Sequence, residues 1–177
     1  MRPSGTLMIE HRLIEKIIPI INNRIGGVNG GNPVDPIFID SVVDFFRTYA
    51  DRTHHGKEED ILFKAIERKK LPDDLMKAMQ ELINDHIYAR KVVGAVVEAN
   101  NRYRAGNKDS LAEIIKDLKI LVGFYPGHIE REDRVFFPEV MKHFDKQELD
   151  DMLKEFWEFD RKMIHEKYQK VIDSLQA

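Results

Sequence analysis

Two rows of residues spaced four apart constrain this chain most. One reads Phe46, Ala50, His54, Glu58, Leu62; the other reads Ile120, Phe124, His128, Glu132, Phe136, Val140. Residues four apart lie one above the other on a single helix face. Each row is apolar at both ends and carries a His–Glu pair in its middle. A helical fold that buries the ends of these rows must bury the pairs with them. The alternative, solvent-facing i,i+4 pairs, does not fit the apolar residues that flank both pairs.

The surrounding pattern is helical throughout. A first helix over about residues 6–24 places Leu7, Ile14, Ile18 and Ile21 on one face, and Pro19 is expected to kink it. Four glycines and a proline between Gly26 and Pro33 make a loop. Asp35-Pro36 is a helix start, an acidic N-cap followed by proline, for a second helix running to Lys69. Leu71-Pro72-Asp73 breaks the chain before a third helix that ends near Arg104. Ser110 and Glu113 form a capping-box pattern for a fourth helix to Phe144, in which Tyr125-Pro126-Gly127 is a candidate kink. A fifth helix from Asp145 carries Leu149, Met152, Phe156, Met163 and Ile172 as its apolar stripe, flanked by Trp157 and Tyr168. Four long helices with short connections predict an all-α, antiparallel up-down four-helix bundle over residues 1–144. Residues 145–177 form an additional helix packed on the same domain.

The first and third helices repeat the intrusion with histidine alone. His11 lies between Leu7 and Ile14, and His86 lies among Met79, Leu82 and Val93. An unpaired carboxylate in a core costs several kcal/mol. Four histidines and two glutamates converging on one core therefore call for a compensating cation. The chain has no cysteine, which excludes disulfides, thiolate zinc sites and cysteine nucleophiles. Any metal must be held by nitrogen and oxygen, a donor set that suits iron, with manganese or zinc as competitors, and argues against copper(I). With 28 basic and 31 acidic residues and a formal charge of −3, nothing points to nucleic acid as a partner. The N-terminus does not read as a signal peptide, and no run approaches the roughly 20 apolar residues of a membrane helix. A cytoplasmic location is expected.

The segments His54-His55-x-Lys57-Glu58-Glu59-x-x-Leu62-Phe63 and His128-Ile129-x-x-Glu132-Asp133-x-x-Phe136-Phe137-Pro138, with Glu10-His11 upstream and Asp85-His86 between them, resemble the hemerythrin-like HHE cation-binding domain family over about residues 6–144. The resemblance implies two iron ions, oxo- and carboxylate-bridged. His11, His54, His86 and His128 are then terminal ligands, Glu58 and Glu132 the bridges, and His55 a seventh candidate ligand. Arg90, Tyr125 and Asp133 are candidates to hold the imidazoles in place. Glu59, Glu130 and Asp133 otherwise read as solvated charges, and His143 and His165 as structural or surface residues.

Oxygen-carrying members have His-x-x-x-His on the third helix, whereas here the residue four after His86 is Arg90. That departure points away from reversible oxygen carriage and toward binding or sensing of O2, NO or iron and redox state. The alternative is a di-iron enzyme acting on peroxide or NO, or an iron donor for damaged iron centres. A metal-independent helical interaction module, docking through the fifth helix, is the third reading. The expected partner is O2, NO or peroxide, with no nucleic acid and no membrane; the residues do not indicate a protein partner.

Overall fold

The computed structural model describes residues 2–27, 34–69 and 71–176. Among the described residues there is no strand. Helix α1 is Pro3–Gly26, α2 spans residues 36–69, α3 is Asp73–Arg104, α4 spans residues 110–143, and α5 is Lys146–Gln176. The first four pack in a closed square, α1 on α2, α2 on α3, α3 on α4 and α4 on α1, while α5 lies against α1 and α2. Short connections force neighbouring helices to reverse direction, which yields the expected bundle with one added helix. No helix among the described residues is long and apolar enough to cross a membrane.

Helix boundaries follow local chemistry. Asp35 caps α2 by accepting from the Ile37 amide at 2.8 Å, with Pro36 as the first helical residue. Helix α1 begins three residues earlier than its periodicity suggested and runs through Pro19 without interruption. The capping box expected at Ser110–Glu113 does not form. Ser110 is buried with an unpartnered hydroxyl, and Glu113 pairs with Arg102 at 2.6 Å instead. A reciprocal capping box occurs at α5, where the Asp145 amide donates to Glu148 and the Glu148 amide to Asp145. Between α3 and α4, Gly106 has φ 97°, a left-handed conformation that side chains disfavour. In the glycine-rich connection, residues 28–33 lie outside the described residues, as do the side chains of Tyr168 and Ile172.

Helices α2 and α4 are not uniformly α-helical. Phe45–His55 and Glu58–Phe63 in α2, and Glu132–Phe136 in α4, wind as wider π-helix. Such turns are rare and concentrate at functional sites. Within α2 the Thr53 hydroxyl donates to the Thr48 carbonyl, five residues back, at 2.7 Å. The wider turn lets the adjacent His54 and His55 both face inward, each 1% exposed.

The interior divides into two apolar clusters. One contains Ile14, Ile21, Val42, Phe46, Val93, Leu118 and Leu121. The other contains Leu7, Leu62, Phe63, Leu82, Phe136 and Phe137, and extends to Phe156 of α5. The rows of α2 and α4 pass from the first cluster to the second, and their His–Glu pairs fall between the two.

Candidate metal centre

The layer between the clusters brings together all seven candidate ligands. His55, His86 and His128 form one group, and His11, His54, Glu58 and Glu132 a second; within each group one donor atom per residue lies within 4.8 Å of the others. The groups share their carboxylates. Glu58 presents Oε1 to His54 Nε2 at 3.6 Å and Oε2 to His86 Nε2 at 3.3 Å. Glu132 presents Oε2 to His11 Nε2 at 3.2 Å and Oε1 to His128 Nε2 at 3.3 Å. Each carboxylate thus has one oxygen on each side.

All seven side chains are at most 2% exposed. The Nε2 atoms of all five histidines, and all four carboxylate oxygens, have no hydrogen-bond partner. Nine buried polar atoms without partners, converging on one space, would carry a severe desolvation cost in an ordinary core. Imidazole nitrogens and carboxylate oxygens are also the donor set of a divalent transition metal. The residues present fit a pair of cations.

The opposite edge of every imidazole is fixed. Nδ1 of His11 lies 2.7 Å from Asp133, that of His54 2.9 Å from Glu10, and that of His55 3.4 Å from Asp51. Nδ1 of His86 lies 2.7 Å from Glu59, and that of His128 3.2 Å from Asp85. An Nδ1–H donating to a carboxylate leaves Nε2 with a free lone pair and makes it a stronger ligand. Cations steady the carboxylates in turn. Lys57 holds Glu10, Arg12 holds Asp133, and Arg131 holds Asp85. Arg90 holds both Asp51 and Glu59, at 2.6 and 2.7 Å.

Several expectations need correction here. Asp133 does hold an imidazole, that of His11, as one of its two readings had it, whereas Glu59 is not simply a solvated charge, since it orients His86. Arg90 forms no hydrogen bond to an imidazole among the described residues and acts through the two carboxylates it clamps. Tyr125 stacks on Phe46 at a centroid distance of 4.9 Å and bonds to no ring nitrogen among the described residues. Glu130 is exposed beside Arg134, and His143 and His165 are exposed, as expected. Glu10, Asp85 and Lys57 were quoted in the motifs but given no role, and Asp51 was not singled out from the sequence. A usable signal exists: Glu10, Glu59, Asp85 and Asp133 each sit one position from an inward-facing ligand candidate.

The family model of the hemerythrin HHE cation-binding domain matches residues 2–140. The chain belongs to that family. Comparison of this HHE-domain chain with curated proteins and with solved structures finds no match. The matched span contains all seven candidate ligands and their carboxylate partners, and it stops before α5. The family's cation-binding character agrees with the His and Glu groups found here, while Arg90 stands four residues after His86. His55, from α2, supplies the third imidazole of that group in this HHE domain.

Protonation of the metal-free site follows from its geometry. Burial alone would lower His11, but its hydrogen bond to Asp133 and its ion-pair contact with Glu132 raise it from 6.5 to about 9. His86 also shifts up: burial opposes the shift, but the nearby Glu132 carboxylate and the hydrogen bond to Glu59 prevail. Burial lowers His54 to about 4. Burial and the neighbouring Glu132 charge push Glu58 up. Burial opposes ionisation of Glu132 too, but the surrounding imidazoles of His128, His11 and His86 pull it down.

A folded-state pKa above the unfolded one contributes stability that is complete below pH 6.5 and is lost as pH rises through 9. For His11 that contribution is about 3 kcal/mol at 1.36 kcal/mol per unit. Metal-free protein is therefore expected to lose stability from pH 6.5 to 9 in urea denaturation. Metal affinity should rise over the same window, because a metal displaces those protons. Parallel pH dependences of the two quantities would contradict the protonation scheme.

Proposed function

We propose that this HHE-domain protein binds a pair of iron ions and through them binds or senses O2, NO or the cellular iron and redox state. One observation carries the reading: two groups of orphaned imidazole nitrogens share two carboxylates, each with one oxygen toward each group. A ferrous pair held by these residues would supply partial electron transfer to a small oxidant or to NO. The protein's own residues fix the imidazoles through five carboxylates, exclude water with two apolar clusters, and limit access.

A cavity of about 270 Å³ supports a small ligand. It reaches His55 and is lined by Phe46, Ala89, Val93 and Tyr125, and by the charged Arg47 and the Asp51–Arg90 pair. Its apolar side, formed by Phe46, Ala89, Val93 and Tyr125, suits an uncharged diatomic. The alternative, an enzyme acting on peroxide or NO or an iron donor for damaged centres, would use the same residues.

The test is metal analysis with the ultraviolet–visible spectrum of protein reconstituted with Fe²⁺ and then exposed to air. Two irons per chain, with charge-transfer absorption of a bridged ferric pair, are expected. A chain that retains no iron after desalting overturns the reading. Turnover of peroxide or NO by the loaded protein would favour the enzyme; stoichiometric binding without turnover would favour the sensor.

A further inference from the structure

Helix α5 lies beyond the matched family span, yet it is wired to the metal centre. Lys57 is fully buried. Its ammonium meets Glu10 of α1 on one side and Asp160 of α5 on the other, the latter at 2.7 Å in an ion pair off the hydrogen-bond axis. It also lies 5.9 Å from the centroid of the Phe156 ring of α5. Glu10 contacts Lys57 through Oε1 and accepts from His54 through Oε2 at 2.9 Å. A continuous polar path thus runs Asp160, Lys57, Glu10, His54, and ends on an imidazole of the two-histidine group.

The other carboxylates that steady imidazoles are held differently. Arg12, Arg90 and Arg131 come from α1, α3 and α4 and are 54%, 37% and 51% exposed, so water screens them. Lys57 is dry, and its position and charge are shared between two anions. Removing the Asp160 charge would leave the ammonium wholly to Glu10. The carboxylate would then accept less strongly from His54, weakening that imidazole as a ligand. The seating of α5 is also tight where it matters. A Cβ added to Gly56 would lie 2.7 Å from the Phe159 ring, so α5 rests directly on the turn that presents His54, His55 and Glu58.

We propose that Asp160 is a positioning residue of the metal centre, acting through Lys57 and Glu10 on His54, so that metal occupancy and the docking of α5 reinforce each other. The inference rests on the metal reading above. Coupling of this kind is reciprocal: whatever α5 does to the affinity of the two-histidine group, a metal there does to the docking of α5. Binding a metal at His54 would firm the path and hold α5 down, while its loss would loosen α5.

The experiment uses Co²⁺ as the probe, with the full chain. Wild type is expected to take up two equivalents. Asp160→Asn should weaken the equivalent at the two-histidine group about tenfold, within the usual range for loss of an outer hydrogen-bond partner, and leave the three-histidine group unchanged. Asp160→Glu should restore it. In the proton NMR spectrum of the Co²⁺ protein, the hyperfine-shifted N–H of His54 should move or exchange faster, with the other four imidazole N–H signals in place. Unchanged affinities in Asp160→Asn, or equal weakening of both groups, would overturn the proposal; the second result would mean a merely structural role.

A measurement on wild type needs no variant. Amide exchange over residues 153–163 should slow several-fold on Co²⁺ loading, and unchanged exchange there would also overturn it. Wild type that takes up no Co²⁺ would sink the underlying metal reading itself, a failure distinguishable from both.

Discussion

Replacing Glu58 and Glu132 together by Ala is expected to cut the bound metal from two equivalents to one at most, with helicity retained. The expectation follows from how the oxygens are divided. The group of His11 and His54 has only two imidazoles of its own, and its remaining donors are the two shared carboxylates. Without them, two neutral nitrogens would face a dication in a dry interior, with no carboxylate oxygen left among the donors to offset its desolvation. The group of His55, His86 and His128 keeps three nitrogens and is expected to hold its metal more weakly. Single variants should fall between, because each leaves one carboxylate reaching both sides. The measurement is metal per chain after Fe²⁺ or Co²⁺ reconstitution and desalting, with circular dichroism as the control for folding. Two equivalents retained by the double variant would remove the bridging role from both residues.

The inward residues of this site were legible because helical periodicity exposes a polar residue on an apolar face. His54 with Glu58 and His128 with Glu132 stand out against Phe46, Ala50, Leu62, Phe124 and Phe136, and the four-helix scaffold follows from the same periodicity. The outer residues obey a different rule. Glu10 adjoins His11 in sequence but bonds to His54 on the next helix, and Asp85 adjoins His86 but bonds to His128. A side chain one position round from the inward face reaches the neighbouring helix. Its partner then depends on packing order and register, which a single helix's periodicity does not contain. Glu59 looked like a surface charge for that reason, and Asp133 could be read either way. The π-wound turns were hidden as well, since nothing in Phe45–His55 but the adjacent His54-His55 pair asks for two neighbouring residues on one face. Lys57 was the least readable. Its burial depends on Asp160, more than a hundred residues away in a helix whose own stripe gave no hint of an acidic contact.

Metal should govern the stability of this fold, and one substitution should stabilise the metal-free protein while removing most of the metal's effect. Nine orphaned donor atoms lie in the metal-free interior, so removing metal is expected to leave a folded but strained bundle. A ligand present at a thousandfold excess over its Kd stabilises by about 4 kcal/mol per site. For a chain of this length each kcal/mol moves Tm by about 2–4 °C. Loading both groups should therefore raise Tm by on the order of 20 °C over protein in chelator. Glu58→Met tests the cause. It conserves volume approximately and removes two buried, unpartnered oxygens from a carboxyl group that burial and Glu132 push toward its neutral form. Relieving an unsatisfied buried group gives about 1–3 kcal/mol. The variant should thus melt higher than wild type in chelator, by roughly 2–10 °C, while losing most of the rise that metal produces. Thermal melts of both proteins, with chelator and with Fe²⁺ under anaerobic conditions, give the four values required. If Glu58→Met melts lower than wild type in chelator, the carboxylate is stabilising the core without a cation. The energetic argument that a metal belongs between these helices would then fail at its first step.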